Sequence, residues 1–304
     1  MFSRVIPSLE QIKQFKQPLT EGELYLLKFL DDNLKKDDLF IGNDYTKYNG
    51  WLIFVQPFLN GSHPDIIILN PNVGVQIFEV KDWNLNNYSF EPRKGKDSKI
   101  YKIFCVSDNK GTYPIKSPIR QVEHYKEKII GQLIPQIGEN IDKNIKSYGL
   151  IKTAIYSHKS TTEQAKGLFN REVKDFSKFP VFGKEMLFSK NLEKIVPDSG
   201  INQSKYWNKE WNKELMFWLY PPIHSIEQGM RLNLTDEQKK FAEPRTGHYR
   251  VRGVAGSGKT QVLAYRASKL ASEGYRVLVL TFNITLWHYI KDMIQRSPFE
   301  FSWK

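Results

Sequence analysis

A glycine-rich stretch at residues 253–260 constrains the fold of this chain more than any other part of the sequence. It has the pattern G-x-x-x-x-G-K-[ST], in which backbone N–H groups turn inward around phosphate oxygens and the following helix adds partial positive charge. The pattern requires a strand before the loop and a helix after it. The sequence predicts both, a short strand at residues 249–252 and a helix with one apolar face at residues 260–272.

This motif predicts that the loop binds the phosphates of a nucleotide such as ATP. Lys259 would reach the β- and γ-phosphates, and the Thr260 hydroxyl would ligate Mg²⁺. The alternative is a glycine-rich turn before an ordinary helix, and the predicted strand, helix and Lys-Thr pair favour nucleotide binding over it. The predicted loop residues are Gly253, Val254, Ala255, Gly256, Ser257, Gly258, Lys259 and Thr260.

The length, composition and charge of the chain are typical of a globular protein with about two domains. A chain of 304 residues is long enough for about two domains, and 40% hydrophobic residues are typical of a globular protein. The net charge of +12 favours a polyanionic partner such as DNA, or else a lysine-rich surface that only solubilises. Cys105 is the one cysteine, so no intrachain disulfide is expected. We find no signal peptide and no membrane span, and we expect a cytoplasmic protein.

Three charged residues are predicted to converge at the end of a hairpin. Apolar runs at residues 66–69 and 75–80 flank a turn-forming segment at residues 70–74. If residues 71–73 make the turn, Leu69 faces Val75 and Asp65 faces Glu79 across the sheet. Lys81 lies two residues beyond Glu79 and therefore on the same face. Slipping the register by one residue would separate Asp65 from Glu79.

This arrangement is typical of a metal site. Two neighbouring carboxylates repel each other, and a divalent cation removes that cost. Hard oxygen ligands suit Mg²⁺ or Mn²⁺, so Asp65 and Glu79 are the predicted ligands. The alternative is an ordinary pair of solvated strand ends. The six histidines show no spacing typical of a zinc site, and His158 after a predicted strand at residues 150–156 is expected to be structural.

These residues resemble the PD-(D/E)xK nuclease core, and in detail the nuclease-related domain known as NERD. Pro64-Asp65 followed by Glu79-Val80-Lys81 carries the resemblance, together with Gly22-Glu23 on a first helix and Pro118-Ile119-Arg120-Gln121 at the start of a later one. The resemblance covers roughly residues 15–135 and implies a mixed-sheet domain at residues 10–160. It also implies a catalytic site made of Glu23, Asp65, Glu79, Lys81 and Gln121. By sequence alone, Glu23 could instead only cap its helix at Thr20.

Between the two motif-bearing regions we predict a connector at residues 161–231. Its helix at residues 205–220 carries a tryptophan stripe that predicts core or interface packing, or alternatively a surface for stacking bases. The basic loop at residues 93–102 could hold DNA phosphates or be an ordinary solvated loop.

Residues 232–295 resemble superfamily 1 DNA helicases of the UvrD-like group. The Leu-Thr-x-x-Gln segment ending at Gln238 implies an adenine contact, and Thr281, Phe282 and Asn283, at the end of a predicted buried strand at residues 276–283, imply contacts to single-stranded DNA. The second predicted domain is thus the start of a RecA-like parallel-sheet lobe at residues 232–304. Because later helicase motifs are missing, we expect the chain to be the N-terminal part of a longer nuclease–helicase.

The sequence therefore predicts an α/β protein with two units: a Mg²⁺-dependent DNA nuclease joined to an ATP-binding helicase motor, acting in DNA repair or in defence against foreign DNA. The alternative is a non-catalytic DNA-binding module that responds to ATP. A P-loop kinase would need a small-molecule acceptor site, for which we find no signal.

Overall fold

The chain divides into two units, residues 1–9 with 19–220 and residues 10–18 with 221–304. The computed structural model describes residues 3–15, 17–41, 45–59, 61–94, 100–143, 145–188, 192–219, 230–254, 256–282 and 284–301. Of the predicted site residues, Ala255 and Asn283 lie outside these ranges, as do residues 95–99 of the basic loop.

In the described part of unit 1, a mixed sheet has the order β1-β2-β3-β4-β8-β9, and a separate antiparallel sheet has the order β5-β6-β7. The β2–β3 and β3–β4 pairs are antiparallel, whereas β8 runs parallel to β4. The strands are β1 (Val5–Ile6), β2 (Leu52–Val55), β3 (Ile66–Asn70), β4 (Gly74–Lys81), β5 (Tyr88–Lys94), β6 (Ile100–Asp108), β7 (Gly111–Pro114), β8 (Ile151–Ser157) and β9 (Val181–Gly183).

The helices lie between and after these strands. They are α1 (Leu9–Ile12), α2 (Glu21–Asn33), α3 (Pro118–Lys128), α4 (Pro135–Lys143), α5 (Thr162–Phe169), α6 (Lys184–Phe188), α7 (Leu192–Ile195), α8 (Lys209–Leu219), α9 (Asp236–Ala242), α10 (Lys259–Ser272) and α11 (Ile284–Gln295). Helix α3 continues into a π-helical turn at Ile129–Leu133.

The two faces of the main sheet are buried against different helices. Because successive residues of a strand alternate between faces, Ile67 and Ile77 share one face, and they pack with Tyr125 and Ile129 at α3 and its continuation. Helix α2 packs on β2, β4 and β8, and its Gly22 lies against Val80 on the opposite face. The sheet is therefore covered on both faces, which explains why β3 and β4 read as nearly continuous apolar runs.

The predicted connector is an integral part of unit 1 through residue 219. Trp207, Trp211 and Leu215 are buried in the same core as β2, β3 and β4, and β9 adds a strand to the edge of the sheet. The tryptophan stripe is thus core packing. Strand β9 has three residues, too few to show a period-2 pattern in the sequence.

Unit 2 is helical in its described residues. Ala264 and Ala267 of α10 pack against Ile290 and Met293 of α11, with Leu232 beside them. No strand forms at residues 249–252 or in the described part of residues 276–283, so the predicted RecA-like parallel sheet is absent here. A parallel strand is stable only when neighbouring strands pair with it, and none of the described residues of unit 2 supplies such a neighbour. Leu278, Leu280 and Phe282 are consequently exposed.

No helix in the described ranges has the length and apolar character needed to cross a lipid bilayer.

Close packing between α2 and the end of β4 predicts an effect of one methyl group. A Cβ at Gly22 would overlap Asp82 Oδ1 and lie 2.8 Å from His158 Cβ. Gly22→Ala should therefore destabilise unit 1 by about 1–3 kcal/mol, as measured by denaturant unfolding. The matched control is Gly167→Ala in α5, where a Cβ meets nothing within 4 Å and where alanine should stabilise by roughly 0.5–1 kcal/mol. Equal effects of the two substitutions would contradict this packing.

Candidate active site

The β3–β4 hairpin brings Asp65 and Glu79 together in the predicted register. The ladder pairs Leu69 with Val75 and Ile66 with Phe78, so Asp65 comes next opposite Glu79. Asp65 Oδ2 accepts a hydrogen bond of 2.6 Å from the Val80 N–H, which fixes its carboxylate at the end of β4.

Lys81 lies beside these carboxylates. Its Nζ donates to Glu79 Oε1 at 2.5 Å, and it lies 5.1 Å from the centre of the Trp83 ring. Residues 79 and 81 point to the same face because they are two apart on a strand. The site therefore contains two carboxylates and one ammonium group, with Glu79 only 2% exposed.

Burial dominates the electrostatics of the two carboxylates. It raises the pKa of Asp65 well above the ordinary value, and the charge of Glu79 raises it further, although Lys81 opposes both effects. Burial also raises the pKa of Glu79, against the attraction of Lys81. The lysine thus compensates only part of the cost of placing two carboxylates in a desolvated site.

Glu23 approaches the same carboxylates from the first turn of α2. Its Oε2 accepts from the Thr20 N–H at 2.6 Å in a capping box, and its Oε1 accepts from Gln56 Nε2 at 2.9 Å. Its charge raises the pKa of both Asp65 and Glu79. Glu23 therefore caps its helix and also belongs to the electrostatic environment of the site.

Gln121 lies in the first turn of α3 and is half-buried, but among the described residues its side chain makes no hydrogen bond to Asp65, Glu79 or Lys81. The α3 residue near the carboxylates is Tyr125, one helical turn later on the same face. Its hydroxyl donates to the His63 carbonyl oxygen at 3.3 Å, just before Asp65. Burial raises the pKa of Tyr125, and the charges of Glu79 and Asp65 add to that shift. The sequence signal for Tyr125 was its i+4 spacing from Gln121.

The donor set of this site fits a divalent cation. Glu79 Oε2 is buried and has no partner in good hydrogen-bonding geometry among the residues that the structure describes, although the Tyr125 hydroxyl lies near enough to Glu79 to lower the pKa of that carboxyl. In the same residues, no group of three or more His, Cys, Asp or Glu side chains forms a complete set of ligands. Mg²⁺ commonly takes one or two protein carboxylates and completes its shell with water and substrate phosphate oxygens. Asp65 and Glu79 would hold such an ion, and they supply the hard oxygen donors that it prefers.

The loop of the P-loop motif is formed in unit 2 without the strand before it. Gly256 and Gly258 have positive φ angles of 80° and 79°, and α10 begins at Lys259. Lys259 Nζ folds back onto the loop and donates to the carbonyl oxygens of Gly253 (3.0 Å) and Val254 (2.7 Å).

The predicted adenine-contacting glutamine lies beside this loop. Gln238 Nε2 donates to the Ser257 carbonyl oxygen at 3.3 Å. Thr260 is the second residue of α10 and is half-buried, while Thr281 and Phe282 lie in the irregular segment before α11. Within the described residues, no contact in the structure joins Phe282 to the loop.

Comparison with known families identifies one part of the chain. Residues 19–154 match the family described as NERD, nuclease-related domain, so this stretch of unit 1 is a nuclease-related domain of mixed α/β fold. No curated protein and no solved structure matches the chain. The match includes Glu23, Asp65, Glu79, Lys81 and Gln121, and it contains no residue of unit 2. The resemblance of residues 232–295 to helicases therefore rests on their motifs alone.

The buried carboxylates predict a gain in stability when one of them is neutralised. Because the folded-state pKa of Asp65 is raised, the protonated form is favoured in the folded protein, and stability is lost as pH rises through that pKa. Asp65→Asn imitates the protonated form and can still accept from the Val80 N–H. In EDTA at neutral pH its melting temperature should exceed that of the wild type by about 2 °C or more, which is ~1 kcal/mol for a unit of this size.

This gain should shrink as pH is lowered and the wild type takes up its own proton. Asp32→Asn, at an exposed position of α2, is the matched control and should change stability by no more than about 0.5 kcal/mol. A stability loss in Asp65→Asn at neutral pH would show that the carboxylate is not under electrostatic strain.

Proposed function

We propose that Asp65, Glu79 and Lys81 form the hydrolytic site of a DNA nuclease that requires Mg²⁺ or Mn²⁺. The observation that carries the proposal is the buried Glu79 Oε2, which has no partner in good hydrogen-bonding geometry among the described residues and lies beside Asp65 in a nuclease-related domain. A buried carboxylate oxygen without a partner is costly. Metal binding would remove that cost, and this supports a catalytic rather than a purely structural role.

Each of these residues would have a different role in phosphodiester hydrolysis. Asp65 and Glu79 would hold a divalent ion, which when bound would lower the pKa of a water and polarise the phosphate. Lys81 would move from Glu79 Oε1 to the phosphate and stabilise the negative charge that develops there. Glu23 would maintain the negative potential that retains the cation. From the family resemblance we also propose a role for Gln121, which would come from α3 when substrate binds.

DNA is the substrate that the charge distribution favours. Residues 88–116 contain seven Lys or Arg against three Asp or Glu, and the small β5–β7 sheet lies within the described part of this stretch. Arg93, Lys94 and Lys102 are exposed on this sheet. Such side chains position a nucleic acid through its phosphates without reading its sequence.

A non-catalytic DNA-binding module is the alternative, because the same basic surface would serve it. The two functions differ in what Lys81 does: a binding module has no need of an ammonium group buried against a carboxylate. Cleavage by purified protein therefore separates them.

Removing Lys81 should abolish cleavage and leave DNA binding largely intact. We expect Lys81→Ala and Asp65→Ala to lose at least about 100-fold in kcat, since each removes a group that acts at the reacting phosphate, while the affinity for DNA changes little. The measurements are cleavage of labelled DNA with Mg²⁺ or Mn²⁺ and fluorescence anisotropy in EDTA.

Lys213→Ala, at an exposed position of α8, is the matched control and should behave as the wild type. If the wild-type protein cuts neither single-stranded nor duplex DNA with either ion, the hydrolytic proposal is wrong.

We further propose that unit 2 binds ATP next to the loop at residues 253–260. A cleft of about 480 Å³ adjoins the loop, and five of its lining residues are basic against the single acidic Glu237: Arg245, Arg250, Arg252, Lys259 and Arg266. This lining supports a polyphosphate ligand, and the position of Gln238 beside Ser257 supports an adenine base. A role for the whole protein in DNA unwinding, repair or defence rests on the motif resemblance and is proposed on that basis.

Removing the Lys259 side chain tests whether ATP binds at the loop at residues 253–260. Calorimetric titration with ATP and Mg²⁺ should show binding by the wild type, and Lys259→Ala should weaken it by at least about tenfold, because the charged contact to the β- and γ-phosphates is lost. Lys240→Ala, an exposed lysine of α9, should have no effect. Equal binding by all three proteins, or none by the wild type, would contradict an ATP site at this loop.

A further inference from the structure

Gln56 lies in the same row of the main sheet as the two carboxylates. The β2–β3 ladder pairs Val55 with Ile66, so the next pair is Gln56 with Asp65, and the Gln56 N–H donates to the Asp65 carbonyl oxygen at 2.8 Å. The β3–β4 ladder then places Asp65 opposite Glu79. Residues opposite one another share a face, so the row contains Gln56, Asp65 and Glu79.

The backbone of Gln56 is strained. Its φ of 46° is the only positive value at a non-glycine residue among those that the structure describes. Glycine adopts this conformation readily, and Asn or Asp tolerate it better than a longer side chain. Residues in sparsely populated conformations occur preferentially at functional sites. The presence of glutamine at this unfavourable backbone conformation therefore suggests that its side chain has a specific function.

That side chain holds Glu23. Gln56 Nε2 donates to Glu23 Oε1 at 2.9 Å, while Glu23 Oε2 accepts from the Thr20 N–H. Glu23 is 4% exposed, and both of its oxygens are thereby fixed, one by its own helix and one by the end of β2. Gln56 consequently ties Glu23 through its side chain and Asp65 through its backbone.

We propose that Gln56 is a positioning residue of the nuclease site, which sets Glu23 and Asp65 at a fixed separation. The inference rests on the proposed nuclease function. Gln56 acts through these two carboxylates and needs no contact with substrate. The left-handed backbone turns the chain at the end of β2, and this leaves the amide within reach of Glu23.

Gln56→Gly tests the proposal because it keeps the backbone conformation and removes the amide. Its melting temperature should equal or exceed that of the wild type, since glycine relieves the strain. Its kcat for DNA cleavage should fall about tenfold or more with little change in KM, because the carboxylates lose their fixed separation. Gln56→Glu has the same shape but cannot donate to Glu23, and it should lose kcat as well. Gln136→Glu, at an exposed position of α4, is the matched control and should keep the kcat of the wild type.

Metal affinity is a second measurement of the role of Gln56, and it does not depend on DNA cleavage. Mn²⁺ titration followed by electron paramagnetic resonance should show about tenfold weaker binding by Gln56→Gly than by the wild type, because groups that hold ligand residues in place affect metal affinity. If the wild type cuts no DNA, the nuclease function fails and this titration still decides the role of Gln56. Wild-type Mn²⁺ affinity in a folded Gln56→Gly, or wild-type kcat where cleavage is measured, overturns the proposal. So does a lower melting temperature, which would make Gln56 a residue of the fold alone.

Discussion

The site of unit 1 depends on the antiparallel register between β3 and β4. This register places Asp65 opposite Glu79, allows the Val80 N–H to bind the Asp65 carboxylate, and puts Lys81 on the same face. A slip by one residue would turn one carboxylate away from the other and move every side chain of the strand to the opposite face, where different helices pack. Because helices pack closely on both faces of the sheet, the slipped register is strongly unfavourable, and the core thereby specifies the positions of Asp65, Glu79 and Lys81.

The same core tolerates an unfavourable charge arrangement. The buried Glu79 and the half-buried Asp65 both have raised pKa values and share one lysine, and Glu79 Oε2 has no partner in good hydrogen-bonding geometry among the described residues. Helices on both faces, including the tryptophan-bearing α8, bury enough apolar surface to offset that cost. Perturbed carboxylates in a site of this kind are typical of catalysis. The physical account therefore agrees with a nuclease-related domain at residues 19–154.

The register of the β3–β4 hairpin could be predicted from the sequence because it depends on a local pattern of turn and strand residues. The turn at residues 71–73 fixed the register of the hairpin, and the Leu69–Val75 pair confirms it. Gln56 was not predicted as a site residue because its role depends on a backbone angle. Tyr125 was not predicted because its i+4 spacing from Gln121 does not show how α3 packs against the sheet. Residues 276–282 do not form the predicted strand, because a β-branched apolar run carries no information about whether a neighbouring strand is there to pair with it.

The position of a bound divalent ion would show directly whether Asp65 and Glu79 form a metal site. Crystals of the protein grown with Mn²⁺ can be measured at a wavelength where manganese scatters anomalously, which locates the ion without assumptions about the reaction. We expect one or more anomalous peaks within bonding distance of Asp65 and of Glu79 Oε2. We also expect the Lys81 side chain to have moved away from Glu79. Manganese bound only elsewhere, with the Lys81–Glu79 pair unchanged, would contradict a metal site at Asp65 and Glu79.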